Sequence, residues 1–166
     1  MDILSHIFLP LILIYGAGLN KIKDSHILVL SSLSIVADYD VLFNIHRSFL
    51  HSPLLVALIT LPLIYIGKKK GFYAQTLFAS FFLFSHILLD FFAGGIPFLY
   101  PFTPLCVGFE FPLVLKFGSS ISIEELGPRL TFSMPSVLHE TSIDAFSGFG
   151  MVSFILFLFI FLRRKS

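Results

Sequence analysis

Cysteine is nearly absent from this chain, and charge is scarce. A single cysteine, Cys106, excludes an intramolecular disulfide framework and a cysteine-based metal site. Charged residues make up 13% of the 166 residues against 56% hydrophobic, more apolar surface than a soluble domain of this length can hide. The net charge of +1 comes without the clustered basic face that phosphate neutralisation needs, so nucleic acid is not expected as a partner. No Gly-rich phosphate loop, G-x-S-x-G nucleophile elbow or redox motif occurs. The segment 1–15 lacks a positive start and a small-residue cleavage pattern and carries Asp2 and His6, so it reads as a retained helix and not as a signal peptide.

What the chain has in quantity is long apolar runs. Crossing about 30 Å of hydrocarbon takes about 20 helical residues, or about 17 in a thinned bilayer. Five runs come near that length: 3–19, 26–43, 53–67, 72–92 and 147–162, the third and fifth being short. The expected architecture is an all-α integral membrane protein, one domain over 1–166, with about five transmembrane helices. A long loop, 93–146, is expected to form an interfacial cap or lid, with Phe98, Tyr100 and Phe102 at headgroup depth. Within it, Ser122 to Glu125 matches a capping box that can start a brief helix, and Glu110, His139, Glu140 and Asp144 are possible late additions to a site.

Basic residues in short flanking loops stay cytoplasmic. Lys21, Lys23, Lys68, Lys69, Lys70, Arg163, Arg164 and Lys165 fall on one side if five helices alternate. The expected location is therefore the plasma (inner) membrane, with the N-terminus outside and the C-terminus cytoplasmic.

Six ionisable residues sit inside or beside these runs: His6, Asp38, Asp40, His51, His86 and Asp90. Each costs roughly 2.5 to 3.5 kcal/mol at a helix centre, so together they need a metal, water or one another as partners. On the expected topology all six fall at the outer end, within roughly 10 Å of the surface by helical rise. His46 and Arg47 occupy the outer connection beside them. His86 and Asp90 are i and i+4 and share a helix face. Asp38 and Asp40 are i and i+2, which point apart on a regular helix, so both reach one site only if the helix frays or ends there. Ser52 and Pro53 read as the cap and first turn of the third helix. Three His and three Asp around one pocket suit one or two divalent cations of mixed nitrogen and oxygen preference: zinc, manganese or iron.

The order D-x-D (Asp38, Asp40), H-R-x-x-x-H-S (His46, Arg47, His51, Ser52) and H-x-x-x-D (His86, Asp90), followed by Gly94, Gly95, Pro97 and the pair Pro101 and Phe102, resembles the membrane-bound metal-dependent hydrolase family. That family includes an inner-membrane protein described as LexA-binding. The resemblance covers roughly residues 1–102, with His6 at the family's N-terminal His. It implies a hydrolase and nominates His6, Asp38, Asp40, His51, His86 and Asp90 as metal ligands, with His46 and Arg47 supporting them or binding substrate.

Such a site can activate water and leave a carboxylate such as Asp40 to take the proton, while Arg47 holds a phosphate in its bidentate fork. At headgroup level it would meet membrane lipid, or another lipid-borne or small-molecule ester or phosphoester, as substrate. Two other classes stay open: a proton or metal-ion transporter, and a non-catalytic membrane adaptor with a structural metal. Polar residues spread through the membrane depth would mark the former.

Overall fold

The computed structural model describes residues 2–43, 48–110, 113–117, 121–134 and 146–165. It is mostly helical: α1 (Ile3–Gly16), α2 (Asp24–Ser31) running directly into a 3-10 helix (Ser32–Phe43), a single 3-10 turn (Phe49–His51), α3 (Pro53–Lys70), α4 (Tyr73–Ala93) and α5 (Gly148–Lys165). Between α4 and α5 lie four strands, β1 (Cys106–Glu110), β2 (Leu113–Phe117), β3 (Ile121–Leu126) and β4 (Arg129–Ser133).

The helices pack with a common polarity. α1 and α5 run parallel: Phe8 meets Phe154 towards the middle of both at 4.9 Å between ring centroids, and Tyr15 meets Phe161 towards their C-terminal ends at 5.2 Å. Asp2 ties their starts. It accepts the Ser5 N–H as the N-cap of α1 at 3.1 Å, and the hydroxyls of Ser5 and Ser147 as well. A Cβ on Gly150 would collide with the Asp2 carboxylate, so α5 can approach this closely only because that position is glycine. α3 and α4 pack antiparallel, Gly67 against Thr76 at one end and Val56 with Ile87 towards the other. Small residues at such crossings compensate for the lack of a hydrophobic driving force between helices in lipid.

Burial is inverted relative to a water-soluble fold. Fully buried positions include Ser5, His6, Ser34, Asp40, His51, Ser52, His86 and Asp90, while Leu13, Leu61, Leu88, Ile155, Phe159 and Leu162 face outward. Polar residues inside and large apolar ones outside are what a hydrocarbon solvent demands. Among the described residues only α4 is by itself both long and apolar enough to cross a membrane. α1 is a shorter apolar helix of 14 residues. α3 and α5 each end in three basic residues, which leaves about 15 apolar residues, about 22 Å of helix. The expectation of five spanning helices thus narrows to one unaided span.

Two sequence expectations for the second and third runs are corrected. The stretch 26–43 is not a regular helix, because its last twelve residues, Ser32–Phe43, are 3-10. Ser31, Ser34, Ala37 and Asp40, spaced by three, are all buried, forming the narrow inward edge that a threefold helix presents. Ser52 sits at the N-cap position of α3 but makes no side-chain cap. Its hydroxyl lies within 3.3 and 3.2 Å of the carbonyls of Phe98 and Tyr100, and so ties α3 to the segment after α4.

The all-α expectation fails at 106–133. β1 pairs with β4 and β2 with β3, both antiparallel. Glu110 lies opposite Arg129 and Leu113 opposite Leu126, so the two ladders share one register. Pro128 has no N–H and Gly127 has φ +141°, which accounts for the break between β3 and β4. The helix expected to start at Ser122 is strand β3 instead. Ile121 and Ile123 alternate with polar neighbours, and β-branched alternation outweighs a four-residue capping pattern. Strand β1 rests on the end of α4: Phe109 packs on Phe91 and Phe92, and Gly108 comes so near Gly95 that a Cβ would lie 2.7 Å from its Cα.

Candidate metal centre

Four elements bring ionisable side chains to one buried point at the end of the bundle where α1 and α5 begin. The 3-10 helix supplies Asp38 and Asp40, the short 3-10 turn His51, α4 His86 and Asp90, and α1 His6. The threefold helix also resolves the i, i+2 problem. Two residues on, a 3-10 helix has turned 240°, leaving Asp38 and Asp40 about 120° apart where an α-helix would put them about 160° apart. Neither fraying nor a helix end is needed for both to face the interior.

One donor atom each from Asp38, His51, His86 and Asp90 lies within 4.8 Å of the others. His51 Nε2 is 3.1 Å from His86 Nε2, 3.1 Å from Asp90 Oδ2 and 4.0 Å from Asp38 Oδ1. His86 Nε2 is 3.5 Å from Asp90 Oδ2 and 3.6 Å from Asp38 Oδ1. Four donors held tetrahedrally at 2.0–2.2 Å from a cation such as zinc would be about 3.4 Å apart. The observed separations straddle that value.

The hydrogen bonds behind the imidazoles fix which nitrogens face the centre. His86 Nδ1 lies 2.5 Å from the Ser34 carbonyl oxygen, which can only accept, so Nδ1 carries the proton. His51 Nδ1 lies 3.0 Å from Asp40 Oδ2 and donates to it. With both rings neutral, both Nε2 atoms are lone-pair donors pointing at each other and at carboxylate oxygens, an arrangement that wants a positive charge, a cation or a proton, in its middle. The carboxylate behind His51 and the carbonyl behind His86 are the usual partners of metal-binding histidines. Burial pushes the His51 imidazole down, and its hydrogen bonds to Asp40 and Asp90 more than reverse this, leaving its proton affinity raised. A cation competes with that proton for Nε2.

Asp40 is placed differently from the other two carboxylates. It is fully buried and accepts the Ser48 N–H at 2.8 Å and the Leu50 N–H at 3.1 Å besides the His51 ring. His6 lies beside the four donors, its ring stacked on His86 at 4.0 Å and its Nε2 3.4 Å from Asp90 Oδ1. His6 Nδ1 is buried and has no hydrogen-bond partner among the described residues. Of the expected site residues, His46 and Arg47 lie outside the described residues, as do His139, Glu140 and Asp144 of the long segment.

Nothing in the sequence marks Ser34, which acts through its backbone carbonyl. Nor does any motif mark Asp2, which bridges two helix starts. The recurrence of Ser31, Ser34, Ala37 and Asp40 at intervals of three was the signal that could have exposed the 3-10 helix.

A helical protein with an apolar exterior and a buried carboxylate and imidazole cluster is of the integral membrane class. The family comparison agrees: the model of the YdjM inner membrane protein family matches residues 1–165, and the chain belongs to that family. No curated protein and no solved structure matches it.

Proposed function

We propose that Asp38, His51, His86 and Asp90 hold a divalent cation and that the protein uses it to hydrolyse an ester or phosphoester of a lipid or other membrane-associated substrate. The observation that carries the metal is the cluster of buried acceptors: two imidazole Nε2 atoms and two carboxylates, one donor atom of each within 4.8 Å of the others. Left alone in hydrocarbon, such a group is costly, and a cation removes the cost. When bound, the cation supplies Lewis-acid polarisation of the substrate oxygen and activation of water.

The chain's own residues then divide the work. Asp40 holds the His51 ring, and its Oδ2 is taken up by three donors, so we assign it a positioning role in place of proton acceptance. Asp38 has the most exposed carboxylate of the four donors, and its distances to the two imidazoles are the longest. It is the donor best placed to release an oxygen and take a proton. His6 backs Asp90 and stacks on His86, steadying both. Arg47, between Asp40 and His51 in sequence, is the group proposed to hold a substrate phosphate. The metal is of the zinc, manganese or iron kind, given two imidazoles and two carboxylates. The active end faces the extracytoplasmic side on the charge bias of the loops.

A second reading, a metal-clamped adaptor without catalysis, is favoured by the donor count, since four protein ligands close a tetrahedral shell. Ion transport has less support. The buried hydroxyls that extend inward, Ser31, Ser34, Thr76 and Ser80, each donate to a carbonyl of their own helical segment and form no chain across the bundle among the described residues.

The test is metal analysis of detergent-purified protein with a lipid phosphoesterase assay before and after chelation. About one ion per chain and activity that falls with chelation and returns with metal support the proposal. Metal with no turnover on any lipid ester selects the adaptor, and metal-free protein of unchanged stability after refolding in zinc or manganese removes the site.

A further inference from the structure

The opposite end of the bundle carries a second polar feature that the metal centre does not use. An open cleft of about 570 Å³ separates the end of α1 from the end of α5. One wall is Tyr15, Gly16 and Gly18, the other Phe159 and Ile160, with Arg163 and Arg164 at the rim. Gly16 and Gly18 present bare backbone, and a Cβ on either would meet nothing within 4 Å, so the first wall leaves room for a ligand. Arg164 lies over the Tyr15 ring, 5.9 Å from its centroid. That contact orders the guanidinium in advance and lowers the entropy cost of fixing it on a ligand.

The geometry points to a binding site for the headgroup of an anionic phospholipid in this cleft. Two guanidiniums at one opening match a phosphodiester, which arginine binds through a bidentate fork. The apolar wall decides between lipid and free phosphate. Beyond Phe159 the outward face of α5 continues with Ile155 and Leu162, exposed residues four and three positions away, a strip on which an acyl chain can lie. A soluble phosphate has no use for that strip.

Charge around the cleft agrees. This is the end where Lys21 and Lys23 follow α1 and where Lys68, Lys69 and Lys70 close α3. Basic pockets between helices at such an end recruit anionic headgroups. Asp24, an acidic neighbour among the described residues, is engaged by the Tyr15 hydroxyl at 3.0 Å, which holds it against the helix end. The backbone N–H groups of Ala17, Gly18 and Leu19 are already bonded to carbonyls of α1, so the arginines alone supply the charge for binding. They also oppose the negative ends of two helix dipoles, which makes a purely capping role the competing explanation.

The experiment is native mass spectrometry of the delipidated full-length protein in detergent. It is titrated with phosphatidylglycerol, with phosphatidylcholine and with inorganic phosphate, and compared with the double variant Arg163→Gln/Arg164→Gln and the control Lys68→Gln/Lys69→Gln. Expected is one saturable phosphatidylglycerol adduct, weakened by roughly tenfold or more in the arginine variant and little changed in the lysine variant. Phosphatidylcholine should bind no better to wild type than to the arginine variant, and inorganic phosphate should not displace the lipid. Equal retention of both lipids, equal loss in the two variants, or displacement by phosphate would each overturn the proposal. Melting temperature without added lipid separates capping from binding: an arginine variant that melts early yet retains phosphatidylglycerol normally has lost a cap and not a site.

Discussion

Asp40→Asn separates support of the metal centre from membership in it. The carboxylate is fully buried; its Oδ2 receives the Ser48 N–H at 2.8 Å, the Leu50 N–H at 3.1 Å and the His51 Nδ1 proton at 3.0 Å. Asparagine fits the same space with one oxygen and no charge. If its oxygen stays towards His51, three charge-assisted hydrogen bonds become neutral ones, and its NH2 group meets the Leu50 N–H. If it flips, the NH2 group meets His51 Nδ1 and drives the ring to carry its proton on Nε2, the nitrogen that faces Asp90 and His86. Either outcome weakens the donor without removing it. Carboxylates behind metal-binding histidines are typically worth about 10- to 100-fold in affinity, which is about 1.4 to 2.7 kcal/mol. Competition between purified variant and a fluorescent chelator measures that factor. Asp90→Asn, which removes charge from a donor itself, should by contrast leave metal well below one per chain. The reasoning is refuted if Asp40→Asn binds metal as tightly as wild type, or if it loses metal as completely as Asp90→Asn.

Arg47→Ala should retain metal and lose activity on a phosphorylated lipid; hydrolysis at the normal rate would exclude phosphate recognition by that residue and favour an uncharged ester or peptide substrate. With Cys106 replaced, single cysteines at Phe49 and Glu124 should react with an impermeant thiol reagent from outside intact cells and one at Lys69 should not, the reverse pattern overturning the outward-facing site. Asp2 gives a pH signature. Burial pushes its carboxyl up, but hydrogen bonds from Ser147 and Ser5 outweigh that and hold it below its ordinary 3.8. Its stabilisation is therefore present above about pH 4 and lost as pH falls through the folded value, so acid melting of wild type should be steeper in that window than that of Asp2→Asn. Parallel curves would show that the clasp between α1 and α5 is not electrostatic.

Which residues meet was more legible in the sequence than how they meet. Charge in a long apolar run is conspicuous because lipid makes it expensive, so Asp38, His51, His86 and Asp90 stand out without any structure. The i, i+4 spacing of His86 and Asp90 carried straight through because α4 is regular there. The D-x-D spacing did not, since assuming 3.6 residues per turn misplaces two residues on a threefold helix. The strands of 106–133 escaped for a related reason: hydrophobic alternation was present at Ile121 and Ile123, but a chain already read as all-helical gave it no weight. Asp2 and the arginine cleft escaped because their partners lie more than 140 residues away, where local patterns carry no information.

Twelve consecutive residues in 3-10 form make the segment between Ser32 and Phe43 a screw of unusual pitch. Each residue that reverted to α-helix would draw the chain in by about 0.5 Å and turn it by about 20°. Three such residues would shift Asp38 by about 1.5 Å along the axis and about 60° around it, enough to dismantle a cluster in which Asp38 lies only 3.6 and 4.0 Å from the two imidazoles. The donor set is thus indexed by thread as well as by residue type. A deletion or insertion of one residue between Ser32 and Ala37, which would leave every donor in the protein intact, should unseat the carboxylates as effectively as replacing them.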